Sequence, residues 1–220
     1  MEHKIAITAH SGCEGTPDNS REHILAAIDS GADFLEIDVR MANGKLYLYH
    51  DRSEHPETCV DFKEFLRTIL PHESLKVNND LKEDGLIRPV LEAAEEIGGP
   101  ALAARMYFTG ETYGRGNDVV SLERYEGLRE RIWLNTGAEE LEAALDVADR
   151  EGCPILNVYY GVITKESLAL VRSRGKNFSG WTANSADVIA FLLSCGVTNI
   201  TTRIPKLAIA MREAYEKENG

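Results

Sequence analysis

The 220-residue chain contains no apolar run approaching the ~18 residues of a membrane-spanning helix, so stable membrane insertion is not expected. Clustered Lys and Arg are missing too. With 24 basic against 36 acidic side chains the formal net charge is -12, the wrong sign for neutralising a phosphate backbone, and nucleic acid is not an expected partner. The four cysteines, Cys13, Cys59, Cys153 and Cys195, are widely spaced and form no C-x-x-C pair, which argues against structural zinc or dithiol redox chemistry and predicts free thiols. Met1-Glu2-His3-Lys4 runs into a strand pattern without the charged start, apolar core and cleavage site of a signal peptide, so the expected location is the cytoplasm. No G-x-G-x-x-G follows that first strand, which speaks against a dinucleotide-binding fold. Low-complexity segments and linkers are absent as well, and nothing in the sequence fixes the oligomeric state.

What is present is a repeat of short β-rich runs and segments with helical spacing, with 43% hydrophobic residues, enough for a sizeable core. Strands are predicted over Lys4–Ala9, Asp33–Asp38, Leu75–Asp80, Arg105–Phe108, Arg131–Asn135, Ile155–Tyr159, Phe178–Trp181 and Thr198–Thr202. Helices are predicted between them, over Arg21–Ser30, Asp61–Leu70, Ile87–Ile97, Ser121–Leu128, Ala138–Arg150, Lys165–Arg174, Ser185–Leu193 and Lys206–Lys217. Glycines follow several helices where a left-handed cap belongs, as in Ser30-Gly31 and Cys195-Gly196. Eight β and eight α segments in 220 residues fit a single-domain (β/α)8 TIM barrel over 1–220 better than an open doubly wound sheet. Lys45 to His50, after the Asn43-Gly44 turn signal, adds an alternating run that predicts a short β-hairpin extension after strand two.

Phe34-Leu35-Glu36-Ile37-Asp38-Val39 is the most informative stretch. Strand side chains alternate, so Glu36 and Asp38 share one face while Leu35, Ile37 and Val39 share the other. Taken alone, that pattern fits either a solvated sheet face or two carboxylates gathered around a divalent cation. In a barrel the active site lies at the C-terminal strand ends. Ala9-His10, Glu36-Ile37-Asp38, His50-Asp51, Asp80-Leu81-Lys82 and Trp181-Thr182 all fall there, and a solvated surface does not account for that convergence.

These segments resemble the glycerophosphodiester phosphodiesterases. Ala9-His10-Ser11-Gly12 with Thr16-Pro17-Asp18-Asn19-Ser20 is similar to the family's opening His-Arg-Gly and Pro-Glu-Asn-Thr, and Gly31-Ala32-Asp33-Phe34-Leu35-Glu36-Ile37-Asp38-Val39 to its Gly-Ala-Asp-x-x-Glu-x-Asp-Val element. His50-Asp51, Asp80-Leu81-Lys82, Trp181-Thr182-Ala183-Asn184 and Gly196 to Thr202 follow in the family's order. The resemblance implies metal-dependent hydrolysis of glycerophosphodiesters to sn-glycerol 3-phosphate and an alcohol, a reaction of lipid metabolism. It also implies Glu36, Asp38 and Asp80 as ligands to Mg²⁺ or Ca²⁺, which hard carboxylate oxygens suit, and His10 and His50 as acid and base. The expected substrate-binding residues are Ser11, Asn19, Lys82 and Trp181, the partner a small phosphodiester.

Three departures stand out. Ser11 replaces the family's arginine, Asp80 replaces a common glutamate, and Arg203 follows Thr202 where an acidic residue is common. A serine offers one hydrogen bond where an arginine offers a fork, so Arg105 or Arg40 would be expected to compensate. Two other readings follow from the same residues: a related phosphodiesterase with another head group or a cyclising mechanism, as in the sphingomyelinase D and phosphatidylinositol phospholipase C barrels, and a non-catalytic barrel that retains the metal site.

Overall fold

The computed structural model describes residues 4–112 and 125–219. The strands are β1 (Ala6–Ala9), β2 (Phe34–Ala42), β3 (Lys45–Leu48), β4 (Val60–Asp61), β5 (Lys76–Leu81), β6 (Met106–Gly110), β7 (Trp133–Asn135), β8 (Ile155–Tyr159), β9 (Asn177–Trp181) and β10 (Asn199–Thr202). Between them lie α1 (Arg21–Ser30), α2 (Phe62–Ile69), α3 (Ile87–Ala103), α4 (Leu141–Glu151), α5 (Lys165–Ser173), α6 (Ala186–Cys195) and α7 (Pro205–Asn219). The helix expected over Ser121–Leu128 falls partly outside the described residues, and its described part, 125–128, is turn leading into a 3₁₀ segment at Arg129–Arg131.

All strands belong to one mixed α/β sheet. β6, β5, β2, β1, β10, β9, β8 and β7 are neighbours in that order and parallel throughout, with Ala9 opposite Thr202, Thr8 opposite Phe34, and Asp38 opposite Asp80. A single parallel bridge from Phe108 to Ile132 connects β6 to the entry of β7. β2 runs four residues further than expected because Val39 to Ala42 pair antiparallel with β3, across a turn in which Asn43 and Gly44 both take positive φ.

Two apolar layers hold these strands in place. Leu35, Ile37, Val39, Val77, Phe108, Phe178 and Ile200 point toward the helices and are fully buried in the main core. The opposite face carries a separate cluster near the strand starts, where Phe34 packs on Tyr107 and Trp133 at ring separations of 4.9 and 5.2 Å. Phe34 shares its face with Glu36 and Asp38, so this aromatic layer forms the floor beneath the carboxylates. Among the described residues no helix is long and apolar enough to cross a membrane.

Candidate active site

Parallel register brings the acids together. β2 presents Glu36 and Asp38 on one face, and Asp80 lies directly opposite Asp38 on β5. One carboxylate oxygen from each of the three lies within 4.8 Å of the others. Glu36 and Asp38 are each only 4% exposed, so charge accumulates here with little water to screen it. Burial first, then repulsion from Asp38 and Asp80, holds the Glu36 carboxyl well above the ordinary glutamate range.

The surrounding chain shapes this charge. The Ser11 N–H donates to Glu36 at 2.8 Å, and Asn19 holds Asp38 twice, Nδ2 donating to its carboxylate at 2.7 Å and Oδ1 accepting from its N–H at 2.9 Å. Lys82 places Nζ 2.9 Å from Asp38 and 2.6 Å from Asp80. Burial disfavours the ammonium, but Asp80 and then Asp38 outweigh it, and the Lys82 pKa is raised. Behind Asp80, Gly110 takes φ 78°, and a Cβ there would collide with the Asp80 carboxylate and the Leu81 backbone, so only glycine lets β6 end this close.

Three buried or nearly buried carboxylates with one lysine leave an excess of negative charge. Their hard oxygen donors fit a divalent cation such as Mg²⁺ or Ca²⁺, for which Glu36, Asp38 and Asp80 would be the ligands. The chemistry of the donor set does not choose between the two.

His10 emerges from β1 beside these acids, its Nε2 4.0 Å from Glu36. Its Nδ1 lies 2.8 Å from the Ser11 carbonyl and 3.4 Å from Arg203 Nε. A carbonyl can only accept, so the shorter contact puts the proton on Nδ1, and the guanidinium is then a neighbour and not a donor to the ring. Nε2 keeps its lone pair. Burial lowers the His10 pKa and the Ser11 carbonyl partly offsets this, leaving the neutral imidazole favoured near neutral pH. His50 is mostly exposed beyond β3, with Nδ1 2.8 Å from Asp51.

A cavity of about 570 Å³ collects these groups. Its lining includes His10, Ser11, Glu36, Asp38, His50, Asp80, Lys82 and Trp181, eight of the nine residues expected from the sequence. The ninth, Asn19, touches it through Asp38. Ser11 is buried, and its Oγ accepts from the Asn19 N–H at 2.8 Å, so it braces a loop as well as facing the cavity. Neither arginine expected to compensate for Ser11 reaches it. Arg40 is held by the His50 carbonyl and Glu83, and Arg105 by the Leu75 and Ile69 carbonyls beside the start of β5.

Sequence reasoning noted Arg203 only as a departure and did not place it in the site, where it lines the cavity, and it missed a set of amides and hydroxyls: Asn78, Asn135, Asn157, Thr109 and Thr201. Asn157 Nδ2 donates to Asn135 at 2.8 Å and Thr109 Oγ1 to Asn78 at 3.1 Å, giving the cavity a hydrogen-bonding wall. Asparagine is depleted in strands, and its recurrence at Asn78, Asn135, Asn157 and Asn199 was the available signal.

No family model and no curated protein matches the sequence. Solved structures do. An Agrobacterium tumefaciens protein classed with the glycerophosphoryl diester phosphodiesterases superposes with a TM-score of 0.78 at 17% identity, over 97% of this chain and 99% of that one. The fold is that of the glycerophosphodiester phosphodiesterases. A glycerophosphodiester phosphodiesterase from Parabacteroides distasonis gives a TM-score of 0.73 at 16% identity, over 98% of this chain and 100% of its own. An Oleispira antarctica phosphodiesterase, solved with the product sn-glycerol-3-phosphate, gives 0.71 at 16% identity over 96% of both chains. Glycerophosphodiester phosphodiesterases thus share this chain's architecture end to end at identities where only the fold follows.

Proposed function

We propose that the chain is a metal-dependent glycerophosphodiester phosphodiesterase, releasing sn-glycerol 3-phosphate and an alcohol. The observation that carries this reading is the gathering of Glu36, Asp38 and Asp80 within 4.8 Å in a cavity also lined by His10 and His50. The parallel strand order from β6 to β7 supports a (β/α)8 barrel of one domain, with β2 and β3 as the hairpin on its rim, and the site at the C-terminal strand ends.

Glu36, Asp38 and Asp80 would hold a divalent cation, which when bound would supply Lewis acidity to the phosphodiester oxygens. His10, neutral and with Nε2 as its lone-pair nitrogen, takes the proton from the attacking water or substrate hydroxyl. His50 gives a proton to the leaving alcohol, its ring oriented by Asp51 at 2.8 Å. Lys82 adds positive charge beside the reacting phosphoryl group as negative charge builds up. Asn19 keeps Asp38 aimed at the centre through its two hydrogen bonds. Trp181, 37% exposed, and the amide wall offer a face and hydrogen bonds to a small hydroxylated group, in keeping with the glycerol 3-phosphate bound by the Oleispira antarctica neighbour.

The test is product identity. Phosphorus NMR of glycerophosphocholine incubated with the protein and Mg²⁺ is expected to show glycerol 3-phosphate. Choline phosphate would place the cleavage on the other side of phosphorus, and an accumulating cyclic phosphodiester would favour the cyclising mechanism.

A further inference from the structure

We infer that Arg203 grips the phosphoryl oxygens of the substrate, so that the anion site is built from the end of β10 beside His10. The inference rests on the phosphodiester reading of the cavity and assigns its anion-binding residue.

The charge inventory of the cavity motivates it. Glu36, Asp38 and Asp80 crowd one side, and the ammonium of Lys82 is already shared between Asp38 and Asp80 at 2.9 and 2.6 Å. Ser11 is neutral, with its Oγ accepting from the Asn19 N–H and its own N–H donating to Glu36, so it adds no positive charge. Among the described residues the other permanent cation on the cavity lining is Arg203.

Its backbone is pinned and its side chain is not. The Arg203 N–H donates to Asn184 Oδ1 at 2.8 Å, its carbonyl accepts from Glu14 at 2.8 Å, and the preceding Thr202 carbonyl accepts from His10 at 2.9 Å. The last of these bonds makes Arg203 the neighbour of His10 across the β1–β10 pairing. The guanidinium, 43% exposed, makes one ion pair, Nη2 to Asp18 at 3.0 Å, and Asp18 is itself 52% exposed on the same cavity. Among the described residues its Nη1 has no partner. Exposed pairs of this kind are weak, so a phosphate competes readily with Asp18 for the fork.

Calorimetric titration of inorganic phosphate and of glycerol 3-phosphate, in Mg²⁺, into the whole protein tests this in four forms. These are wild type, Arg203→Gln, Arg203→Lys and Asp18→Asn, each checked for native circular dichroism. Arg203→Gln is expected to weaken both ligands roughly ten- to hundred-fold, the range of charge-assisted hydrogen bonds. Arg203→Lys falls between, because an ammonium keeps the charge and loses the fork. Asp18→Asn binds as tightly or more tightly, since it removes the competitor. Wild-type affinity in Arg203→Gln overturns the inference, as does failure of the wild type to bind either anion. Equal weakening in Asp18→Asn and Arg203→Gln also overturns it, because the ion pair would then serve only to brace the loop. Phosphate binding that depends on Arg203 without hydrolysis of any diester would defeat the phosphodiesterase reading and leave this one standing.

Discussion

His23 makes a stability prediction that can be worked from the structure. It lies on α1, the helix linking the His10 strand to the carboxylate strand, and has no exposed surface. Among the described residues both ring nitrogens lack a hydrogen-bond partner. Burial, with repulsion from His10 second, lowers its pKa from 6.5 to about 4. The sign follows from proton uptake: as pH falls through 6.5 the unfolded chain binds a proton at this residue, while the native state does so only near 4. Stability therefore declines across that window, at ~1.4 kcal/mol per pH unit and about 3 kcal/mol in all. His23→Leu removes the titration. At pH 7 the variant is expected within about 1 kcal/mol of wild type, since the two unpartnered buried nitrogens it removes offset the imperfect fit of the new side chain. Urea unfolding at pH 7, 6 and 5, with chelator present throughout, would show the variant gaining on wild type at each step. A stability difference that stays constant with pH would refute the reasoning and imply a hydrogen-bonded or hydrated ring.

Three further predictions concern the site itself. Glu36 has a pKa raised by burial and by Asp38 and Asp80, so without a cation the native state loses stability as pH rises from 4.5 through that elevated value. Glu36→Gln is then expected to equal or exceed wild type in chelator, while losing the Mg²⁺-induced gain of ~2.7 kcal/mol, about 5–10 °C, that a ligand at 100 times its Kd confers. Thermal melts with Mg²⁺ and with chelator decide it. Lys82→Met strands Asp38 and Asp80 without their ammonium and should cost about 2–4 kcal/mol in chelator, with much of the loss recovered on adding Mg²⁺ in the same melts. His10→Asn should lower kcat by about 10²–10⁴ with KM changed only a few-fold. In wild type, because the His10 pKa is depressed from 6.5, the acidic limb of the kcat/KM profile should lie below that pH and disappear in the variant.

The acids were legible because strand alternation is local: Glu36 and Asp38 must share a face whatever surrounds β2. Asp80 and Lys82 were legible as a strand end. Their meeting was not readable from spacing alone, since it depends on the register that sets Asp38 opposite Asp80. Arg203 stood out as a departure at the end of β10, but its place in the site was not readable for the same reason. It is 193 residues from His10, and only the β1–β10 pairing makes them neighbours. Ser11 was read as a substrate-binding residue, and what the sequence did not show is that its Oγ also accepts from the N–H of Asn19, whose positive φ of 53° turns the loop back onto it. The break in α3 was visible as Gly98-Gly99-Pro100, where the helix predicted to end at Ile97 resumes after non-helical backbone. β4, two residues long, leaves no periodicity to read.

The most direct test of the functional account is release of glycerol 3-phosphate from glycerophosphocholine and glycerophosphoethanolamine by the purified protein, measured with Mg²⁺, with Ca²⁺ and with excess chelator. The account predicts release that requires a divalent cation and is lost in His10→Asn. Absence of release with either cation, or release unchanged by chelator, would contradict it.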